Sequence, residues 1–365
     1  MKTSYMDRRT VDAIKGVALI LMFVHHFFTY PEWYVSGIFY PALLPFVRFL
    51  QTPTRLCVGI FAFLTGYFYC FSREKTLGYS LKKIRDFLIS YWVVYALLLA
   101  LALALGCWKF SLPSFVQGLV GLNGKVMRFC WYVHFYILTM LLLPLLWKIS
   151  AGNPVGDIGV MLVLPTVIFT TAQAVLEREL GMETGIPVEI LVQAGENFPS
   201  VAAGCLCARY GVFEGYFHRV TGQLKKPWAG KTVCLGLCIA AFFGRLVLPR
   251  IMMGSLHVSG KWTELAFNMD MVYAPVFVYG MAELLRDIPW EKFRRPLEAV
   301  GEKSMLMWFL HCVFFNCCRK YTQPLLYMLK NPILVLLSGL AVCYLAAVVI
   351  DVPLKKLLNR KKTTV

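Results

Sequence analysis

Apolar runs of roughly twenty residues recur from one end of this chain to the other, and few folds can absorb them. A run of that length crosses the hydrocarbon core of a bilayer as an α-helix, where every backbone polar group finds its partner within the segment. Ten such runs can be read, at 11–29, 54–71, 84–106, 129–147, 157–176, 189–208, 232–248, 265–284, 304–318 and 332–352. The expected fold class is all-α: a polytopic membrane protein of about ten transmembrane helices, forming a single transmembrane domain over residues 1–365. Composition agrees, since 58% of the chain is hydrophobic and 16% charged, against roughly 45–50% and 25% in soluble domains.

The net charge of +17 would point a soluble protein toward nucleic acid. Here its distribution gives a simpler origin. With the N-terminus inside, lysine and arginine favour the inner segments by about two to one, so both termini are expected to be cytoplasmic. No nucleic-acid partner is expected. Membrane lipid is, most directly at the basic tail from Lys355 to Lys362, which suits an anionic surface. The first run contains histidines and lacks a small-residue cleavage site, so it reads as a span and not as a signal peptide. Trp33, Tyr34, Trp108, Trp147 and Trp262 fall near the proposed interfaces, as an aromatic belt would. The 12 cysteines lie mostly in apolar runs without paired CxxC motifs. They read as small buried reduced side chains, and no metal site is expected.

The first run carries the strongest functional signal. It begins with charges at Asp7, Arg8, Arg9, Asp12 and Lys15 and ends in adjacent histidines, His25 and His26, at a depth where lipid is expected. Ionisable groups inside a membrane are costly and by default mark function. At about 100° per residue, Lys15 and His26 lie within about 20° of one another, roughly 16 Å apart along the axis. Arg8 and Asp12 fall on nearly the same face, whereas His25 points about 80° away from Lys15. The helix therefore presents a polar stripe, Arg8–Asp12–Lys15, below an imidazole near the bilayer centre. His26 is the functional histidine on this reading, with His25 as its neighbour.

Elsewhere, Lys82 and Arg85 share a face at the start of the third span, and such a pair at the inner surface can hold phosphates or simply flank a span. His134 lies at the outer end of the fourth span, where an interfacial role is equally open. His311 lies about half-way up the ninth span, at a depth comparable to His26; a structural hydrogen-bonded histidine is the plain alternative. Glu196, Arg245, Asp270 and Glu283 also fall in or near spans, and spacing does not name their partners.

In this order the motifs resemble acyltransferase family 3, the bacterial integral membrane O-acyltransferases, over essentially the whole chain. The most specific match is Asp12-Ala13-Ile14-Lys15-Gly16-Val17-Ala18 followed by His26, similar to the family's first helix, in which a basic residue precedes the catalytic histidine by ten intervening positions. Lysine stands here where members often carry arginine, which keeps the charge and loses the bidentate fork. Phe63 to Tyr67 resembles the second-helix Ser-Gly-Phe/Tyr signature with Thr65 in place of serine. Lys82 and Arg85 resemble an Arg-x-x-Arg pair, Trp131-Tyr132 a Trp-Tyr/Phe-Leu segment, and Gly301 to His311 a late Gly-Lys-x-Ser…Leu-His segment.

The resemblance implies transfer of an acyl group, usually acetyl, from cytoplasmic acetyl-coenzyme A as co-substrate to a hydroxyl of a cell-surface or lipid-linked glycan, in the plasma membrane. On this footing His26 is the expected general base or acyl relay, with Asp12 and Lys15 completing the catalytic set. Lys82, Arg85 and Arg8 are the expected coenzyme A contacts. His25, Trp131, Tyr132, His134 and His311 are the candidate substrate-binding residues. Some members carry an extracytoplasmic domain that completes transfer. This chain ends at Val365 without one, so the expectation is direct transfer or a separate extracytoplasmic transferase as partner. The His25-His26 start also resembles membrane modules attached to serine/alanine racemases. In that reading the polar stripe lines a transport path for a small polar substrate such as an amino acid, and no acyl transfer occurs.

Overall fold

The computed structural model describes residues 4–30, 44–182, 185–222, 227–254, 269–286 and 291–358. The described residues are mostly helical, with no strand among them. Helix α1 (Arg8–Phe28) is capped by the Asp7 carboxylate, which accepts from the Thr10 N–H at 2.7 Å. Helices α2 (Leu44–Thr54) and α3 (Leu56–Phe71) follow each other almost without a break. Then come α4 (Leu77–Ala104), short α5 (Leu112–Leu119), α6 (Trp131–Ile149) and α7 (Pro154–Arg178). The second half holds α8 (Ile186–Tyr210), α9 (Pro227–Gly254), α10 (Asp270–Arg286), α11 (Glu291–Glu302), α12 (Ser304–Leu310), α13 (Arg319–Tyr327) and α14 (Pro332–Leu357).

Seven of the described helices are long and apolar enough to cross a membrane: α1, the Phe49–Phe71 stretch, α4, α6, α7, α9 from Trp228, and α14. Their outward faces display Leu97, Leu101, Val167, Ile239, Leu345 and Val349, a surface that suits lipid and would aggregate in water. Three expected spans take another form. Helix α8 is 25 residues long but carries Glu189, Glu196 and Arg209. Helix α10 has 17 residues. The expected span 304–318 is not one continuous helix: α12 gives way to a 3₁₀ turn at His311–Phe314. Trp33, Tyr34, Trp262 and the tail beyond Leu358 lie outside the described residues.

Helix α1 is the hub, packing against α2, α3, α10, α11, α12 and α14. Two glycine crossings bring helices close enough to set the site. Gly16 of α1 and Gly301 of α11 leave no room for a side chain: a Cβ would overlap the Leu297 carbonyl at the first and the Asp12 carbonyl at the second. The same holds between α3 and α8, where Gly66 meets the Val201 carbonyl and Gly204 the Phe63 carbonyl. Small residues that let backbones touch are how helices associate where lipid removes the hydrophobic drive.

The break at His311 leaves carbonyls without helical partners, a condition tolerated at membrane depth only when other protein groups satisfy them. They are satisfied. Thr322 Oγ1 donates to the Val313 carbonyl (2.8 Å), Gln323 Nε2 to that of Phe314 (2.8 Å), and Arg128 Nη1 to that of Phe315 (3.2 Å). The segment before α6 is stitched to the same place by Asn316 Nδ2 to the Val126 carbonyl and the Cys317 N–H to the Lys125 carbonyl, both 2.9 Å.

Candidate active site

The end of α1 and the break after α12 meet in a pair of histidines. His26 Nδ1 lies 2.8 Å from His311 Nε2, and the two rings are tilted by only 5° with centroids 4.9 Å apart. That combination describes an edge-to-edge hydrogen bond in a common plane. His311, with no exposed surface, also bonds through Nδ1 to the carbonyl of Trp308. Partners fix the tautomers of the neutral rings. A carbonyl can only accept, so His311 Nδ1 carries the proton and its Nε2 accepts. His26 Nδ1–H then donates, and the lone pair of His26 is left on Nε2. The broken helix thus fixes the plane and tautomer of the His26 ring, and an imidazole so held can serve as a base. Phe129 lies flat over the pair, 4.2 Å from His26 at 1° and 5.4 Å from His311 at 6°.

Below the pair, toward the charged end of α1, opens a cavity of about 680 Å³ lined by Arg8, Asp12, Lys15, Thr65, Tyr69, Tyr79, Lys83, Tyr132, Tyr136 and Glu302 among others. A lobe of about 350 Å³ shares Lys15, Thr65, Lys83, Tyr132 and Glu302 with it and extends to Phe87, Trp308 and Phe309. Tyr132 and Trp308 pack at 4.2 Å. Trp308 thus lines the lobe while its carbonyl accepts the hydrogen bond from His311 Nδ1. On the other side a cavity of about 290 Å³ is lined by Arg128, Phe129, Trp131, His134 and Glu189.

The stripe on α1 is realised as spacing requires. Lys15 Nζ donates to Asp12 at 3.1 Å, and Arg8, largely exposed, approaches the same carboxylate at 3.8 Å. Lys82 and Arg85 are exposed, Arg85 pairs with Asp86 at 2.8 Å, and neither lines the cavity; Lys83, between them, does. Close to the cavity wall, Tyr69 packs on Trp147, over whose ring Lys75 and Arg209 place their cations at 4.9 and 4.6 Å.

His25 turns away from this chemistry. Thr54 Oγ1 donates to the Leu50 carbonyl at 2.7 Å and therefore accepts from His25 Nδ1 at 3.0 Å, while the Tyr30 hydroxyl meets Nε2 at 3.0 Å. With both nitrogens engaged, His25 ties α1 to the α2–α3 junction. That junction is held by Arg55–Glu196 at 2.6 Å and by the buried pair Arg245–Asp270 at 2.8 Å. Gly59 makes room for Asp270, and Arg245 also donates to the Thr52 carbonyl at 2.9 Å. His134 Nε2 bonds to the Val120 carbonyl at 2.9 Å, and with Trp131 it faces the upper cavity while Tyr132 faces the lower one. No cluster of histidine, cysteine and carboxylate able to hold a metal occurs among the described residues.

The helices define an α-helical membrane protein, and its interior holds the His26–His311 imidazole pair. The family model described as "Acyltransferase domain" matches residues 8–352. The chain belongs to acyltransferase family 3, and it is a membrane acyltransferase. Comparison with curated proteins and with solved structures gave no match.

Proposed function

We propose that this acyltransferase moves an acyl group, acetyl in the first instance, from cytoplasmic acetyl-coenzyme A to a hydroxyl of a cell-surface or lipid-linked glycan in the plasma membrane. One arrangement carries this reading: the His26–His311 pair is flanked by Trp308, which lines the lobe of the lower cavity, and by Phe129, which lines the upper one. Arg8, Lys15 and Lys83 supply positive charge to a phosphate-bearing co-substrate. The inner lobe, walled by Phe87, Trp308 and Phe309, suits the pantetheine arm and thioester.

In the step this arrangement supports, His26 Nε2 takes the proton of the acceptor hydroxyl as its oxygen attacks the thioester carbonyl. The C–S bond breaks, the coenzyme A thiolate leaves and is protonated, and an O-acyl ester forms. The imidazolium formed on His26 keeps its Nδ1–H bonded to His311. Asp12 holds Lys15 at the mouth, and Trp131 and His134 face the side from which a sugar would approach.

The test is coenzyme A release from acetyl-coenzyme A by purified protein in liposomes with a glycan acceptor. His26→Ala is expected to lower turnover by about 10²–10⁴-fold, the usual contribution of general-base catalysis. Absence of coenzyme A binding and of thioester turnover in a folded wild type would overturn the proposal in favour of a transport-like module.

A further inference from the structure

Phe129 is one of two non-glycine residues with positive φ among the described residues, at 65°. A bulky side chain adopts that conformation only when its surroundings impose it, and such residues gather at functional sites. The surroundings here are specific. The Arg128 carbonyl accepts the Cys312 thiol at 3.1 Å, and the Arg128 guanidinium lies 5.7 Å over the Phe129 ring while bonding the Phe315 carbonyl. The Phe129 carbonyl accepts the Tyr132 N–H at 3.4 Å as α6 begins. The left-handed turn thus lays the ring over the common plane of His26 and His311, while Phe129 also borders the upper cavity. A right-handed or extended residue would carry its side chain elsewhere.

We propose that Phe129 is a positioning residue that covers His26 on the acceptor side, so that an acceptor reaches the base from the upper cavity only by displacing this ring, and water does not take its place. The role rests on the acyl transfer proposed above. Its chemical purpose is coupling: an exposed base beside a thioester would activate water, cleaving the C–S bond to give free acetate and coenzyme A with nothing acylated.

The test separates this role from the reaction itself. Phe129→Ala and the bulk-preserving Phe129→Leu are compared with wild type in two readouts. The first is the rate at which diethyl pyrocarbonate carbethoxylates His26, followed by mass spectrometry, which requires no turnover. The second is acetate formation from acetyl-coenzyme A without acceptor. Phe129→Ala is expected to raise both severalfold, with Phe129→Leu close to wild type. Unchanged carbethoxylation of His26 in folded Phe129→Ala would overturn the proposal. If that variant does not fold, Phe129→Leu is compared with Phe129→Gly, which adopts positive φ freely, and equal rates in the two overturn it. Faster carbethoxylation in a protein that turns over no thioester would uphold the cover and reject the acyl transfer.

Discussion

An imidazole that donates through one nitrogen to a second imidazole presents its other nitrogen as a base, and the strength of that arrangement depends on the residue behind it. His311→Gln can still accept a hydrogen bond near His26 but no longer ties it in plane to the Trp308 carbonyl. The account predicts a fall in kcat of about 10²–10⁴-fold, the range for a mispositioned acid–base group, with little change in KM. A KM effect with unchanged kcat in steady-state assays would instead make His311 a binding residue. The α1 stripe was legible because helical periodicity alone sets Arg8, Asp12, Lys15 and His26 on one face. The partnership with His311 was not, because 285 residues separate the two and no local pattern encodes such a contact. Lys83 was passed over for a related reason: neighbours on a helix differ by about 100°, and the spacing that singles out Lys82 and Arg85 leaves out the residue between them that lines the cavity. Nothing in the sequence announces a phenylalanine with positive φ.

At the scale of elements, two devices position the site: the break after α12 and the docking of α11 across the start of α1. The second is electrostatic as well as steric. Arg9 reaches Glu298 at 3.2 Å, and Arg294 reaches Glu298 at 2.6 Å and Asp7 at 3.7 Å. At the end of α11 the hydrogen bond from Lys303 holds the Glu302 carboxyl below its ordinary range. At its start the hydrogen bond from Arg295 does the same for Glu291. Burial raises Asp7, but its Thr10 hydrogen bonds and Arg294 outweigh it and leave the carboxyl low. Carboxyls lowered on folding stabilise the fold above their unfolded pKa values, and that contribution is lost as the pH falls through their folded values. Hydrogen exchange over residues 291–302 should therefore stay protected at neutral pH and accelerate below about pH 4. Protection lost between pH 6 and 8 would contradict this. Most helices were visible in the sequence because apolar length is a strong signal. The break at His311 was hidden, since its carbonyls are satisfied by Arg128, Thr322 and Gln323, residues outside the apolar run.

At the scale of the molecule, the two cavities lie on either side of the histidine pair, and the proposed function puts them at opposite faces of the membrane. On the proposed orientation, with the charged start of α1 cytoplasmic as the lysine and arginine distribution suggests, the cavity lined by Arg8, Lys15 and Lys83 would take the thioester from inside and the upper cavity the acceptor from outside. The measurement that tests this most directly uses sealed vesicles with the protein in one orientation, acetyl-labelled coenzyme A on the face of the α1 N-terminus and a glycan acceptor only on the other. The account predicts label on the acceptor, with coenzyme A released on the side where it was supplied and both lost in His26→Ala. Transfer only when acceptor and thioester share a compartment, or transfer undiminished by His26→Ala, would contradict it.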